Sequence, residues 1–127
     1  MVPNLLITDD DAALRGVLSD ALTRSGFCVH QAADGQQALH VLGDTEIHFA
    51  LVDVHMPRVT GLELLRRLGD VPKRPPCALM SADWNDEIEA EARRFAAYKV
   101  VHKPVRLGQI RGIVADALLD VYGWKPA

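Results

Sequence analysis

The central stretch of this chain reads Phe49-Ala50-Leu51-Val52-Asp53-Val54-His55-Met56-Pro57. A short apolar run ends in one carboxylate, a turn closed by Pro57 follows, and Gly61 opens a leucine-rich helical pattern. Such a run predicts a strand buried on both faces, as in parallel sheets covered by helices. Because ligands bind outside the carboxyl ends of these strands, Asp53 stands where chemistry is usually placed. A solvated turn aspartate fits this stretch alone equally well.

Strand and helix patterns alternate along the whole chain. The predicted strands are residues 4–8, 27–32, 48–52, 77–80 and 99–102, and an amphipathic helical pattern follows each of them. This alternation predicts an α/β fold with a five-stranded parallel sheet and helices on both faces, a three-layer α/β/α arrangement. The flavodoxin-like strand order 2-1-3-4-5 suits five strands and brings the ends of the first and third strands together.

Bulk composition narrows the class of protein. The chain has 127 residues, 49% of them hydrophobic and 24% charged, which predicts one globular domain. A net charge of −3 offers no electrostatic footprint for nucleic acid, and no apolar run is long enough to span a bilayer, so we expect neither as a direct partner. Cys28 and Cys77 lie in apolar runs and are predicted to be reduced core residues. The start resembles no secretory signal, so the cytoplasm is the expected location.

Three acids follow the first strand directly. These are Asp9, Asp10 and Asp11, and the predicted strand order brings the first two beside Asp53. Carboxylates crowded together repel one another unless a positive charge compensates them. Oxygen ligands favour a hard cation, and we expect Mg²⁺, or Mn²⁺ in its place. Taken alone, the acidic run is also what a helix N-cap requires.

The fourth and fifth strands end in complementary groups. Ser81 supplies a hydroxyl and Lys103 supplies an ammonium group that pairs with anions. An aspartate can attack phosphorus, while a metal and a lysine offset the charge of the transferring phosphoryl group. Singly, Ser81 is consistent with a helix cap and Lys103 with a surface lysine. Their joint placement at strand ends favours a phosphoryl-transfer site.

Taken in order, these motifs resemble those of the receiver domains of two-component response regulators, of the chemotaxis-regulator type. The motifs are Leu6-Ile7-Thr8-Asp9-Asp10-Asp11, Val52-Asp53-Val54-His55-Met56-Pro57 with Gly61, Met80-Ser81-Ala82, and Lys103-Pro104. The resemblance covers residues 4–122 and leaves 123–127 as a short C-terminal tail. It implies phosphorelay signalling, in which a cognate histidine kinase or phosphotransfer protein passes a phosphoryl group to Asp53 and thereby switches partner binding.

The resemblance also implies a role for individual residues. The metal would be held by Asp9, Asp10, Asp53 and the backbone carbonyl of His55. The phosphoryl group would be bound, and its presence reported, by Ser81, Ala82 and Lys103. His55 and Asp83 follow Asp53 and Ser81 by two residues each, so we expect both to flank the approach of water and to tune the lifetime of the phosphoryl group. The turns would depend on Pro57, Gly61 and Pro104, and we predict a cis Lys103-Pro104 peptide bond, as is usual in this family.

The chain departs from the family pattern on its fifth strand. Val100 stands where the family usually has Tyr or Phe, and Ala96-Ala97 replaces a Gly-Ala pair. Because Val100 has no ring, the usual movement of an aromatic side chain on phosphorylation is in doubt. The residues that carry the phosphoryl chemistry are unchanged. We expect the output partner to bind the face made by helix 4, strand 5 and helix 5. We expect no enzyme activity beyond the domain's own phosphoryl transfer and dephosphorylation.

Three alternatives remain at the level of sequence. A haloacid-dehalogenase-like phosphatase places its nucleophile on the first strand with a second Asp two residues later, whereas the residue two after Asp53 is His55. A flavin-binding protein needs a phosphate loop after the first strand, where three aspartates would repel phosphate. A pure interaction module would never take up phosphate. Turnover of phosphomonoesters would identify the phosphatase, and a coloured purified protein would identify the flavin-binding protein. An unchanged mass after treatment with a phosphodonor and Mg²⁺ would identify the interaction module.

Overall fold

The structure is a computed structural model that describes residues 1–69 and 71–126. In this part of the chain, five strands alternate with five helices. The strands are β1 (Asn4–Thr8), β2 (Cys28–Ala32), β3 (Phe49–Asp53), β4 (Cys77–Ser81) and β5 (Lys99–His102). The helices are α1 (Ala12–Arg24), α2 (Gly35–Asp44), α3 (Gly61–Leu68), α4 (Asp86–Arg94) and α5 (Leu107–Tyr122).

All neighbouring strands are parallel, and their order in the sheet is β2-β1-β3-β4-β5. The predicted fold class and strand order are therefore confirmed. Two apolar clusters cover the two faces of the sheet. One contains Leu5 and Ile7 with residues of α1 and α5, and the other contains Leu6 with residues of α2, α3 and α4. Alternate residues of β1 thus enter opposite layers, as the period of a strand requires.

The third strand lies in the middle of the sheet, and all five of its residues are buried, as the apolar run predicted. It begins and ends one residue later than predicted and includes Asp53. The Val54 N–H donates to the Met80 carbonyl at 2.9 Å, and the Lys103 N–H donates to the Ser81 carbonyl at 2.9 Å. These two bonds continue the hydrogen-bond ladder just past the strand ends. Asp53 and Ser81, the last residues of β3 and β4, are therefore held firmly in the sheet.

The prediction for one of the two cysteines is wrong. Cys77 is fully buried in β4, and burial raises the pKa of its thiol to about 11. Cys28 is exposed, because it opens β2, an edge strand that buries only Ala32. The exposure of Cys28 could have been predicted from the strand order, since that order puts the second strand at an edge of the sheet.

The end of α5 is packed into the fold. Gly123 adopts a left-handed conformation, with φ of 64°, and ends the helix. The Trp124 ring then packs on Phe27, with centroids 5.6 Å apart. The predicted tail, 123–127, therefore starts with ordered contacts, while Ala127 lies outside the described residues. The boundary at residue 122 stays a prediction.

None of the helices in residues 1–69 and 71–126 combines the length and the apolarity that crossing a bilayer requires.

Candidate functional site

Three carboxylates meet at the carboxyl edge of the sheet. Strands β1 and β3 are neighbours, with Thr8 opposite Val52, so the residues that end them lie side by side. One carboxylate oxygen from each of Asp9, Asp10 and Asp53 lies within 4.8 Å of the other two. Asp9 and Asp53 are buried, and Asp10 is exposed. The strand order predicted this convergence.

Lys103 reaches this cluster from the end of β5. Its Nζ lies 2.9 Å from Asp9 Oδ2 and 3.3 Å from Asp53 Oδ2. The lysine side chain is 20% exposed, so its charge is only partly screened by solvent. One ammonium group therefore bridges the ends of the first and third strands.

The surroundings shift the proton affinities of this pair. Burial, and then the charge of Asp9, raise the pKa of Asp53, although the His55 N–H and Lys103 oppose the shift. Burial alone would lower the pKa of Lys103, but its bonds to Asp9 and the charges of both carboxylates outweigh it and raise that pKa. The site thus holds more negative charge than one lysine compensates.

The donor set suits a hard divalent cation. Its side-chain ligands are carboxylate oxygens already grouped within reach of one ion, and the ordinary partners of such sites are Mg²⁺ and Ca²⁺. A cation would also offset the charge of Asp9, which after burial is the second cause of the raised pKa of Asp53. The residues therefore fit the bound metal that the sequence predicts.

The loop after β3 folds back on its own strand. Asp53 Oδ1 accepts the His55 N–H at 3.1 Å, and the Gly61 N–H donates to the Val54 carbonyl at 3.0 Å. A Cβ on Gly61 would overlap the backbone oxygen of Asp53 and lie 2.9 Å from the Val54 Cα. Only glycine permits this close approach, which explains the need for Gly61 here. Pro57 lies in the same loop.

The loop after β4 is held through one hydroxyl. Ser81 is fully buried, and its Oγ accepts the Asp83 N–H at 3.0 Å. The same Oγ lies 3.1 Å from His55 Nε2. Ala82 and the Asp83 side chain are exposed. Further along, Trp84 Nε1 donates to the Val101 carbonyl at 2.9 Å, so the loop is also attached to β5.

The Lys103-Pro104 peptide bond is cis, so this prediction is confirmed.

Two contacts at the rim were not predicted. Arg15 Nη1 donates to the Asp9 carbonyl at 2.7 Å, which ties α1 to the end of β1. Arg58, in a left-handed conformation with φ of 68°, pairs with the buried Asp34 at 3.0 Å. A Cβ on Gly35 would overlap the Val59 backbone, so α2 and the loop after β3 pack tightly. Of these contacts, only that of Arg15 could have been expected from the sequence, because Arg15 lies near the start of the helix that follows Asp9.

Known proteins are similar to this chain in both sequence and fold. Residues 5–115 match the response regulator receiver domain. The chain is 35% identical over 117 residues to the regulatory protein AtoC of Escherichia coli, and 27% identical over 118 residues to the sporulation initiation phosphotransferase F of Bacillus subtilis. A response regulator from Burkholderia pseudomallei, solved with a phosphorylated aspartic acid, calcium ion and citrate, superposes with a TM-score of 0.82 at 25% identity.

The matched proteins differ in length. The aligned segments cover 92% of this chain but 25% of AtoC, whereas they cover 93% of this chain and 95% of the Bacillus protein. The Burkholderia structure covers 95% of this chain, and 71% of that structure is matched. The chain therefore corresponds to one part of the first relative and to nearly the whole of the second.

Proposed function

The chain belongs to the family of response regulator receiver domains, which act in two-component phosphorelay signalling, and we propose that Asp53 is its phosphoacceptor. The observation that carries the proposal is the position of Asp53 in the cluster with Asp9 and Asp10, within reach of Lys103. The phosphoryl donor is a histidine kinase or a phosphotransfer protein.

In the reaction, a carboxylate oxygen of Asp53 attacks phosphorus and forms the acyl phosphate. The bond from phosphorus to the donor breaks, and its electron pair leaves with the donor nitrogen. Hydrolysis later returns the carboxylate and inorganic phosphate. The Lys103 ammonium group lies close enough to pair with the Asp53 carboxylate before the reaction and with the phosphoryl oxygens after it. Charges positioned in this way account for much of the catalysis of phosphoryl transfer.

We assign the metal as Mg²⁺, which Asp9, Asp10, Asp53 and the backbone carbonyl of His55 would hold. Three carboxylates and few other ligands suit an ion that keeps several waters and bridges to phosphate. When bound, the ion supplies positive charge at the transferring group. The Burkholderia response regulator, whose structure contains a phosphorylated aspartic acid and a calcium ion, supports the binding of a divalent cation.

The phosphoryl oxygens are assigned to Ser81, the backbone of Ala82 and Lys103. Ser81 ends β4 and Ala82 follows it, beside the end of β3, so both flank the acceptor. Phosphorylation then moves the loop after β4 and the start of α4, and so changes one side of the face made by α4, β5 and α5, to which the output partner binds. Val100 on this face is 36% exposed.

Treatment with acetyl phosphate and Mg²⁺ tests the proposal. The protein is expected to gain the mass of one phosphoryl group, and to gain none when EDTA is present from the start. It is expected to turn over no p-nitrophenyl phosphate. A protein that gains no mass under these conditions would be an interaction module instead. Sustained phosphomonoester turnover would identify a phosphatase.

The lifetime of the phosphoryl group is the first quantity we expect to change by mutation. His55 and Asp83 each lie two residues beyond a site residue, and both side chains are exposed at the rim. In a His55→Ala, Asp83→Ala double variant, we expect the decay rate to change about tenfold, because water approaches past both side chains, while Mg²⁺ affinity changes less than twofold. Decay is followed by intact mass after the donor is removed. A decay rate equal to that of the parent would exclude this role.

The second expected change is a movement of the loop after β4. Val100 is β-branched and stiff at χ1, so it cannot swing between two sites as an aromatic ring can. Beryllofluoride with Mg²⁺ is expected to shift residues 81–84 and the start of α4, while β5 stays fixed. Fluorescence of Trp84 in a Trp124→Phe variant, together with amide exchange, reports the movement. Exchange changes centred on β5 with an unchanged loop would contradict the expectation.

A further inference from the structure

We propose that His55 is a positioning residue for Ser81: its Nε2–H donates to the Ser81 hydroxyl oxygen and leaves the hydroxyl hydrogen for a phosphoryl oxygen. This inference rests on the proposed function, because it concerns how the switch hydroxyl is presented to the phosphorylated Asp53. It starts from the 3.1 Å distance between His55 Nε2 and Ser81 Oγ.

The hydrogen-bond inventory of one hydroxyl carries the argument. A serine hydroxyl has one hydrogen to donate and two lone pairs that accept. The Asp83 N–H already donates to Oγ at 3.0 Å, so one lone pair is used. If Nε2 accepted the hydroxyl hydrogen, Ser81 would have none left for the phosphoryl group. If Nε2–H donates instead, both lone pairs are used and the hydrogen stays available.

The surroundings favour donation from the imidazole. Of the three protonation forms of the ring, the Nε2–H tautomer and the cation both donate from Nε2, and only the Nδ1–H tautomer accepts there. The Asp83 N–H occupies only one lone pair of the Ser81 oxygen, so the second lone pair is free to accept from the Nε2–H tautomer. Ser81 is fully buried, so water cannot readily replace a lost partner of its hydroxyl.

The contact also joins the two loops that phosphorylation must connect. His55 belongs to the loop after β3, where its own N–H is bound to Asp53 Oδ1 at 3.1 Å. Its ring then reaches the last residue of β4. A change at the acceptor is therefore transmitted to Ser81 through a single residue, and the hydroxyl is held in one orientation before the phosphoryl group arrives.

A double-mutant cycle on beryllofluoride affinity, measured with saturating Mg²⁺, tests the inference. We expect His55→Ala to weaken beryllofluoride binding about three- to tenfold, the usual range for one hydrogen bond. Combined with Ser81→Ala, the same change should have no further effect. His55→Gln, whose amide can also donate, should restore most of the affinity. Mg²⁺ affinity without beryllofluoride should stay equal in all variants, which shows that each one is folded.

Asp83→Ala is the matched control, since it removes a neighbouring side chain but keeps the backbone N–H that bonds Ser81. Its effect on affinity should be equal with and without Ser81→Ala. Additive effects for His55→Ala, or a His55 ring whose ¹⁵N spectrum shows no hydrogen on Nε2, would overturn the inference while leaving Asp53 as acceptor. A parent protein that binds no beryllofluoride would overturn the proposed function as well.

Discussion

The Asp53→Asn variant is expected to take up no phosphoryl group from acetyl phosphate and to melt at a higher temperature than the parent protein. Burial and the charge of Asp9 raise the pKa of Asp53. A carboxyl with a raised folded-state pKa stabilises the fold below its unfolded pKa, and this contribution is lost as the pH rises through the folded pKa. At neutral pH the ionised group therefore costs stability, and a neutral amide removes the cost.

Without added metal, we expect the free energy of unfolding of the variant to exceed that of the parent by about 1 kcal/mol, which raises the melting temperature by about 4 °C. Differential scanning fluorimetry at pH 7, with and without Mg²⁺, measures it. Mg²⁺ should stabilise the parent more than the variant, because the variant lacks one carboxylate ligand. A variant that melts below the parent would contradict the stability cost assigned to the ionised Asp53, and a variant that is still phosphorylated to the same extent would contradict its assignment as the acceptor.

Replacing Lys103 by methionine is expected to slow phosphorylation about 100-fold, the usual cost of losing one charged or hydrogen-bonding group at a transition state. The variant keeps a side chain of similar length but leaves the carboxylates of Asp9 and Asp53 without the ammonium group that lies 2.9 Å and 3.3 Å from them. The initial rate of mass gain with acetyl phosphate measures the effect. Lys99 begins β5, the strand that Lys103 follows, and it is exposed, so Lys99→Met is the matched control and should label at the parent rate.

The loss of stability in Lys103→Met should depend on pH in a defined way. The pKa of Lys103 is raised, so its contribution is lost at alkaline pH, as the pH rises through its folded pKa. It is also smaller at acid pH, where Asp53, whose pKa is raised by burial and by the charge of Asp9, becomes protonated and the ion pair with it is lost. The difference in melting temperature between parent and variant should therefore be largest near neutral pH. An equal difference at pH 4 and pH 7 would show that the ion pairs contribute little.

The sheet and the acidic cluster could be predicted from the sequence because both depend on short local patterns. Apolar runs that end in polar residues mark parallel strands, and a parallel sheet brings their carboxyl ends to one edge. Asp9, Asp53 and Lys103 are separated by up to 94 residues in the chain, yet each follows or ends such a strand.

The details that could not be predicted depend on loop conformation and on side-chain rotamers. The contact of His55 with Ser81 requires the particular course of the loop after β3, and the pair of Asp34 with Arg58 requires a left-handed residue that is not glycine. Neither leaves a pattern in the sequence. The exposure of Cys28 is different, because the predicted strand order already implied an edge strand.

Mapping the modified residue tests the central claim most directly. After treatment with acetyl phosphate and Mg²⁺, hydroxylamine converts an acyl phosphate to a hydroxamate, which peptide mass spectrometry can locate. We expect a single modified residue, Asp53, whose modification depends on both the phosphodonor and the metal. A hydroxamate on Asp9 or Asp10, or a phosphoryl group found on His55, would contradict the account.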